Sequence, residues 1–208
     1  MHDDPESEQL LHRARAGDQA AIDVLFSRHR RALRRMVDLR LNRKLRGRID
    51  PSDVVQDALV EASRRWSGYV LAPQLPVYLW LRTFTQQKLL EAHRFHLGTA
   101  KRDARLEVEL GQGDLSVSSD SLAAIAIEDA TSVSQVVAGQ EQIQALEALI
   151  ETLSPLDREI LALRHFEQLG NAAAARLLDI DENTASKRFL RALQRLRQKM
   201  RELGLDDD

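Results

Sequence analysis

Positive charge is concentrated in a short segment near the C-terminus. Residues 187–199 contain six Lys or Arg, whereas the whole chain of 208 residues has 30 Lys/Arg against 32 Asp/Glu and a formal net charge of -2. A dense set of cations can neutralise phosphates, and an Arg side chain can also donate two hydrogen bonds to the edge of a guanine. This segment is therefore the first candidate for a binding site, and its chemistry suits nucleic acid.

The residues around this segment predict a helix-turn-helix. Asn171 can cap a short helix over residues 172–178, Asp179 can adopt the left-handed conformation of a turn, and Asp181 can cap a second helix. At 100° per residue, one stripe of the second helix is apolar and should pack inward. The stripe comprises Ala185, Phe189, Ala192, Leu193, Leu196 and Met200. The adjoining side carries Thr184, Lys187, Arg188, Arg191 and Arg195, as a helix that enters the major groove would require.

Helical periodicity dominates the rest of the sequence, and the alternation typical of strands is nearly absent. We expect helices at residues 10–16, 18–41, 51–66, 77–97, 140–152 and 155–166. Asp50 and Ser154 are the expected caps, each followed by a proline, and Asp157 is expected to reach back to complete a capping box. In the second of these helices the expected buried face comprises Leu25, Phe26, His29, Leu33, Met36 and Val37. The stretch "GYVLAPQLP" at residues 68–76 predicts a loop.

The middle of the chain has a different composition. Residues 106–157 contain ten Asp/Glu and no Lys or Arg, and "GQGDLSVSSDS" is rich in Gly, Ser and Asp. A short helix is expected at "SLAAIAIED". The sequence therefore predicts an all-α protein of two small helical domains, residues 1–97 and 140–208, joined by a flexible acidic linker at residues 98–139.

Several classes of function have little support. The chain has no Cys, which excludes disulfides and Cys-based zinc sites. His93 and His96 form the one close His pair but have no suitable carboxylates nearby, and there is no phosphate-binding Gly-rich loop or nucleophile elbow. We therefore expect no catalytic residue, no metal and no cofactor, and a protein that is not an enzyme. No apolar run approaches the ~20 residues of a membrane span, and the N-terminus is polar, so we expect no membrane insertion and a cytoplasmic location.

Three segments, in this order, resemble bacterial RNA polymerase sigma factors. "DPSDVVQDALVEASRRW" is similar to the region that docks on the polymerase, and "LPVYLWLRTFTQQKLLEAHR" to the next region, which recognises and melts the −10 element. Residues 151–197 resemble the domain that recognises the −35 element. Two domains with a short linker resemble the extracytoplasmic-function (ECF) subgroup of the sigma-70 family.

The resemblance implies a factor that binds core RNA polymerase and directs promoter-specific initiation. Its partners would be the β′ clamp and β flap of the polymerase and promoter DNA, with an anti-sigma factor as a further partner. The implied clamp-binding residues are Asp53, Val54, Gln56, Asp57 and Leu59. The implied −10 residues are Tyr69, Trp80, Lys88, His93 and Arg94, followed by Lys101, Arg102 and Arg105. The implied −35 residues are Thr184, Ser186, Lys187, Arg188 and Arg191, with Arg195 beside them.

Two alternatives remain open on the residues alone. A dimeric helix-turn-helix regulator that binds an operator without polymerase would use the same C-terminal segment, but would leave "DPSDVVQDALVEASRRW" without a role. A helical adaptor that binds no DNA is the other. Residues 28–48 hold ten Lys/Arg and one acid, and this block could face DNA, polymerase or solvent. The promoter sequence, the regulon and the inducing signal are not encoded in any motif.

Overall fold

The computed structural model describes residues 5–41, 45–100, 115–130 and 140–204. Within these ranges the regular secondary structure is helical and no strand occurs, which confirms the all-α prediction. The helices are α1 (Pro5–Arg15), α2 (Gln19–Arg40), α3 (Pro51–Leu71), α4 (Val77–Ala100), α5 (Ser119–Ala130), α6 (Gln140–Glu151), α7 (Pro155–Leu161), α8 (Asn171–Leu177) and α9 (Glu182–Glu202). Among these described residues, no helix combines the length and the apolar character that crossing a bilayer demands.

The chain divides into two compact units, Met1–Leu115 and Ser116–Asp208. In the first unit α3 packs on α4, and α2 packs on α1, α3 and α4. The face of α2 that was predicted to be buried is buried, which confirms the helical periodicity as its cause. Its six residues are Leu25, Phe26, His29, Leu33, Met36 and Val37.

An aromatic cluster packs between helices of the first unit. The ring of Trp66 lies 5.6 Å from that of Phe26 and 6.0 Å from that of Trp80, and Trp80 lies 5.0 Å from Phe84. The indole Nε1 of Trp66 also donates a hydrogen bond of 3.2 Å to the buried carbonyl of Ala14. The cluster therefore holds α1, α2, α3 and α4 together, because its rings come from three of these helices and bond to the fourth.

The loop predicted at residues 68–76 is wrong in its first half, since α3 continues through Leu71. Tyr69 is 7% exposed, stacks on Trp80 with 4.4 Å between ring centroids, and donates its hydroxyl to the carbonyl of Leu75 at 2.8 Å. These contacts offset the cost of about 1 kcal/mol that Gly68 brings to a helix interior. Only residues 72–76 separate α3 from α4.

The second unit begins with the helix that was expected within the linker. This helix, α5, packs on α6, and its start is attached to α7 by two hydrogen bonds. The amide of Val117 donates to the carboxylate of Glu159 at 2.8 Å, and Arg158 donates to the hydroxyl of Ser119 at 2.8 Å. The structure thus groups α5 with the second unit, whose other helices are α6 to α9.

Helix caps set where several helices begin. The side chain of Asp50 accepts a hydrogen bond from the amide of Ser52, and that of Ser154 accepts from the amide of Asp157, as predicted. After Leu161, α7 continues as one π turn over Ala162–Phe166, so the helix ends where the sequence predicted. The buried residues of this turn join the core of the second unit.

Candidate nucleic-acid interface

Small side chains let α8 lie close to α9. Ala174, Ala175 and Ala185 are at most 2% exposed, and an alanine contributes no bulk that would keep two helices apart. Between the helices, Asp179 has φ 52°, which confirms the left-handed residue predicted for the turn. The amide of Ile180 donates to the carbonyl of Ala175 at 3.1 Å and closes the end of α8.

The start of α9 is fixed by a cap and by a cross-link to α8. The carboxylate of Asp181 accepts from the amide of Thr184 at 2.8 Å, which confirms the predicted cap, and hydrogen bonds from Thr184 lower the pKa of Asp181. The cap predicted for Asn171 is wrong: Gly170 holds the cap position. The Nδ2 of Asn171 donates instead to the carbonyl of Glu182 at 2.8 Å, because the short loop places Asn171 in the first turn of α8 facing α9.

The apolar stripe of α9 packs inward along most of its length. Ala185, Ala192, Leu196 and Met200 are buried, and Phe189 and Leu193 are half-buried. The guanidinium of Arg164, in the π turn after α7, lies 4.9 Å from the centroid of the Phe189 ring. This contact could not be read from the sequence, since it joins residues 25 positions apart on two different elements.

The adjoining side of α9 forms one open depression. Its lining includes five of the six residues predicted to contact a −35 element, together with Asp157 and Ala192. These five are Thr184, Lys187, Arg188, Arg191 and Arg195. Ser186, the sixth, is half-buried on a different edge of the helix. The cationic side predicted from the helical wheel is thus assembled in one place.

Asp157 contributes an acid to this cationic depression. Its carboxylate was expected to complete a capping box, but it accepts a hydrogen bond of 2.9 Å from the Nη1 of Arg188. The Asp157 side chain is 19% exposed and the Arg188 side chain 38% exposed. The partner residues are 31 positions apart, so no sequence pattern signalled the pair.

A comparison with known families matches part of the second unit. Residues 143–196 match the family model of sigma-70, region 4. The match supports a member of the sigma-70 family, and it includes α7, α8 and the part of α9 that carries the cationic depression. Among curated proteins, none matches the chain.

The residues implied to bind polymerase lie on α3, outside the sigma-70 region 4 match. Asp53, Gln56 and Asp57 are exposed, whereas Val54 and Leu59 are only 6% and 5% exposed. Val54 and Leu59 therefore belong to the core of the first unit, and their contact with polymerase stays a prediction. The sequence missed a contact beside them: Gln56 accepts a hydrogen bond of 2.6 Å from Arg30 on α2.

Val60 is the apolar side chain that this exposed side of α3 does offer. It is 41% exposed, in contrast to the buried Val54 and Leu59. Helical spacing could have indicated it, because Val60 follows Gln56 by four residues and Asp57 by three.

The residues implied to contact the −10 element differ widely in how exposed their side chains are. Tyr69 and His93 are 7% and 1% exposed, so both are core residues in this structure, and their contact with DNA stays a prediction. Trp80 is half-buried in the aromatic cluster, and Arg94 is exposed. Lys88 forms an ion pair of 2.7 Å with Glu91. Three further cations of the predicted trail, Lys101, Arg102 and Arg105, lie outside the described residues.

Proposed function

We propose that this protein is an ECF-type sigma factor that binds core RNA polymerase and directs initiation at promoters with particular −10 and −35 elements. The observation that carries the proposal is the cationic depression on α9 within residues that match sigma-70 region 4. Such a factor makes and breaks no bond and needs no cofactor. It would act in the cytoplasm, where the polymerase transcribes the chromosome.

The second unit would grip the −35 element. With α9 in the major groove, Lys187, Arg191 and Arg195 can neutralise phosphates, and Arg188 can donate to a base edge. Thr184 lies in the first turn of the helix, where a hydroxyl can reach either a phosphate or a base. The buried stripe on the other side keeps the helix fixed to α7 and α8 while the cations meet DNA.

The first unit would hold polymerase and the −10 element. Asp53, Gln56 and Asp57 form a polar strip on α3 that suits a helix-on-helix contact with the β′ clamp. The half-buried ring of Trp80 could stack on a base, and exposed Arg94 can follow a phosphate backbone. Unstacking a base costs a few kcal/mol per step, and such contacts would offset that cost.

Run-off transcription with core polymerase on a library of genomic promoters tests the proposal. We expect start sites that appear only when the protein is added and that share −35 and −10 elements. A variant with Asp53, Gln56 and Asp57 changed to Ala should lose these transcripts and its co-purification with core polymerase, yet still bind DNA. Salt-sensitive DNA binding as a dimer on a palindromic site, with no new transcript and no polymerase binding, would identify an operator-binding regulator instead.

A further inference from the structure

The ion pair between Asp157 and Arg188 distinguishes one cation of the depression from the others. Asp157 is the third residue of α7 and Arg188 lies in the second turn of α9, so the pair joins two helices. Lys187, Arg191 and Arg195 line the same depression, and within the part of the chain that the structure describes none of them forms an ion pair. One cation is therefore tethered, and three can move with their flexible side chains.

The tether leaves Arg188 able to bind a second group. A guanidinium carries five N–H donors, and the 2.9 Å bond to Asp157 uses one donor on Nη1. The edge formed by Nε and Nη2 can still donate two parallel hydrogen bonds, which is the geometry that matches the O6 and N7 of guanine. Holding the guanidinium in advance also reduces the conformational entropy that a flexible Arg loses when it binds.

A carboxylate next to this guanidinium also disfavours phosphate. Asp157 neutralises much of the charge of Arg188 at short range and would repel a phosphate that approached the same place. The three untethered cations carry no such penalty and suit the DNA backbone. The ion pair thus favours two kinds of contact within one depression. The tethered Arg188 suits a neutral base edge, and the three untethered cations suit phosphates.

We propose that Asp157 is a positioning residue that directs Arg188 to a base and so sets part of the sequence preference of α9. The inference rests on the proposed function, since it requires that α9 reads DNA. Removing the carboxylate should free Arg188 to bind phosphates. Asp157→Ala should then bind unselected duplex more tightly. Its salt slope, the slope of the logarithm of the binding constant against the logarithm of the salt concentration, should be steeper by about one, while preference at one or two base pairs falls about tenfold.

Selection from a randomised duplex library, followed by sequencing of the bound fraction, tests this with the full-length protein. The unaltered chain is compared with Asp157→Ala, Asp157→Asn, Arg188→Ala and the double variant Asp157→Ala/Arg188→Ala. Glu141→Gln is the matched control, because it removes one exposed acid from the same unit outside the depression. Thermal unfolding of each variant identifies any that does not fold, and Asp157→Asn keeps the shape of the side chain if the alanine variant fails.

The inference predicts that Asp157→Ala, or Asp157→Asn in its place, loses preference at the same base pairs as Arg188→Ala. Combining the two changes should cause no further loss, since both act through one interaction. An unchanged selected sequence and salt slope in the folded Asp157 variants would overturn it, as would a uniform loss of affinity, which indicates a structural role only. If the unaltered chain selects no sequence at all, the proposed function itself fails, and the inference fails with it.

Discussion

Helices α9 and α4 were both predicted to carry DNA-binding side chains, yet the structure exposes them to different extents. On α9, Lys187, Arg191 and Arg195 are exposed along one depression. On α4, His93 is 1% exposed and Lys88 is paired with Glu91. The side chains predicted from charge and spacing therefore lie together on α9, whereas on α4 they are divided between the core and the surface.

The difference follows from how buried and exposed residues are distributed around each helix. The polar and apolar residues of α9 are separated into two sides, whereas α4 packs on both α2 and α3 and buries side chains around much of its circumference. His93 follows Thr85 and Leu89 at intervals of four residues, and both of these are fully buried. A helical wheel drawn for α4 would thus have placed His93 inward, and residue type alone suggested otherwise.

The largest effect is expected from Trp66→Ala, which tests whether the aromatic cluster stabilises the first unit. Loss of a buried indole typically costs about 3–5 kcal/mol. Both Trp residues of the chain lie in the first unit, so the fluorescence of Trp80 reports its unfolding in urea. Far-UV circular dichroism should retain a second transition from the helices of the second unit.

Trp66→Phe is the matched control, because it keeps an aromatic ring and removes the hydrogen bond to Ala14. We expect its cost to be closer to 1 kcal/mol, as for one buried hydrogen bond. If the unfolding transitions measured by fluorescence and by dichroism were lost together in Trp66→Ala, the two units would unfold as one. The difference between the two units would then not extend to their stability.

The next effect concerns the mobile cations of α9. Changing Lys187, Arg191 and Arg195 together to Ala should weaken binding to unselected duplex about 100-fold at 0.1 M salt, and should reduce the salt slope by about 2.7, or 0.9 per lost contact. Ala preserves helix propensity, so α9 should remain folded. Fluorescence anisotropy of a labelled duplex across a salt series measures both quantities.

A second triple variant makes this a comparison between the units. Arg30, Arg31 and Arg34 are exposed on α2, within the basic block whose role the sequence left open. Their change to Ala removes the same charge from the first unit, and we expect a smaller change in slope. Equal changes from the two triples would mean that affinity follows total charge and that the α9 depression has no special role.

Sequence alone predicted those features that depend on a few neighbouring residues. The caps at Asp50, Ser154 and Asp181 and the left-handed Asp179 were all confirmed, because each is set by residues within three positions. The continuation of α3 past Gly68 was missed, since it depends on a stack with Trp80 that only the tertiary fold creates.

The candidate site divides in the same way. The set of side chains along one side of α9 follows from helical geometry, and it was predicted. The pairing of Arg188 with Asp157 was not, because it requires knowing how α7 crosses α9. Likewise, Val54 and Leu59 have the residue types of an interface, and only packing shows that they are buried within their own unit.

A smaller effect is expected from pH, through His29 in the first unit. Burial, with the charge of Arg28 adding to it, lowers the pKa of His29 to about 4 from 6.5. Below pH 6.5 His29 therefore gains a proton in the unfolded chain, but in the folded unit it stays neutral down to about pH 4. The contribution of His29 to stability is thus constant above pH 6.5, and stability falls as pH decreases from 6.5 to about 4. At pH 5 the loss is roughly 2 kcal/mol.

The test compares urea unfolding by Trp fluorescence at pH 7.5 and pH 5 for the unaltered chain and for His29→Gln. The variant has no group that titrates at this site, so its stability should change less between the two pH values. The difference between the proteins isolates the contribution of His29 from that of the rest of the chain. An identical pH dependence in both would show that His29 is not buried as a neutral ring.

The smallest effect is expected from the same substitution, Asp→Ala at a helix cap, made separately in each unit. Asp50 caps α3 and Asp181 caps α9, and each accepts a hydrogen bond of 2.8 Å from a backbone amide. Asp→Ala at a cap leaves that amide without its partner and should lower the melting temperature of the affected unit by about 5 °C. Asp50→Ala should shift the fluorescence transition, and Asp181→Ala only the dichroism transition of the second unit.

Asn is the matched replacement at both caps, because its amide oxygen accepts the same hydrogen bond. Each Asn variant should retain most of the stability and differ mainly by the lost interaction of the carboxylate with the helix dipole. Asp181→Ala should also weaken DNA binding, since fraying of the first turn of α9 displaces Thr184, whereas Asp50→Ala should leave DNA binding by α9 unchanged. A loss of DNA affinity of the same size in both alanine variants would contradict the assignment of DNA contacts to α9, because only one of them alters that helix.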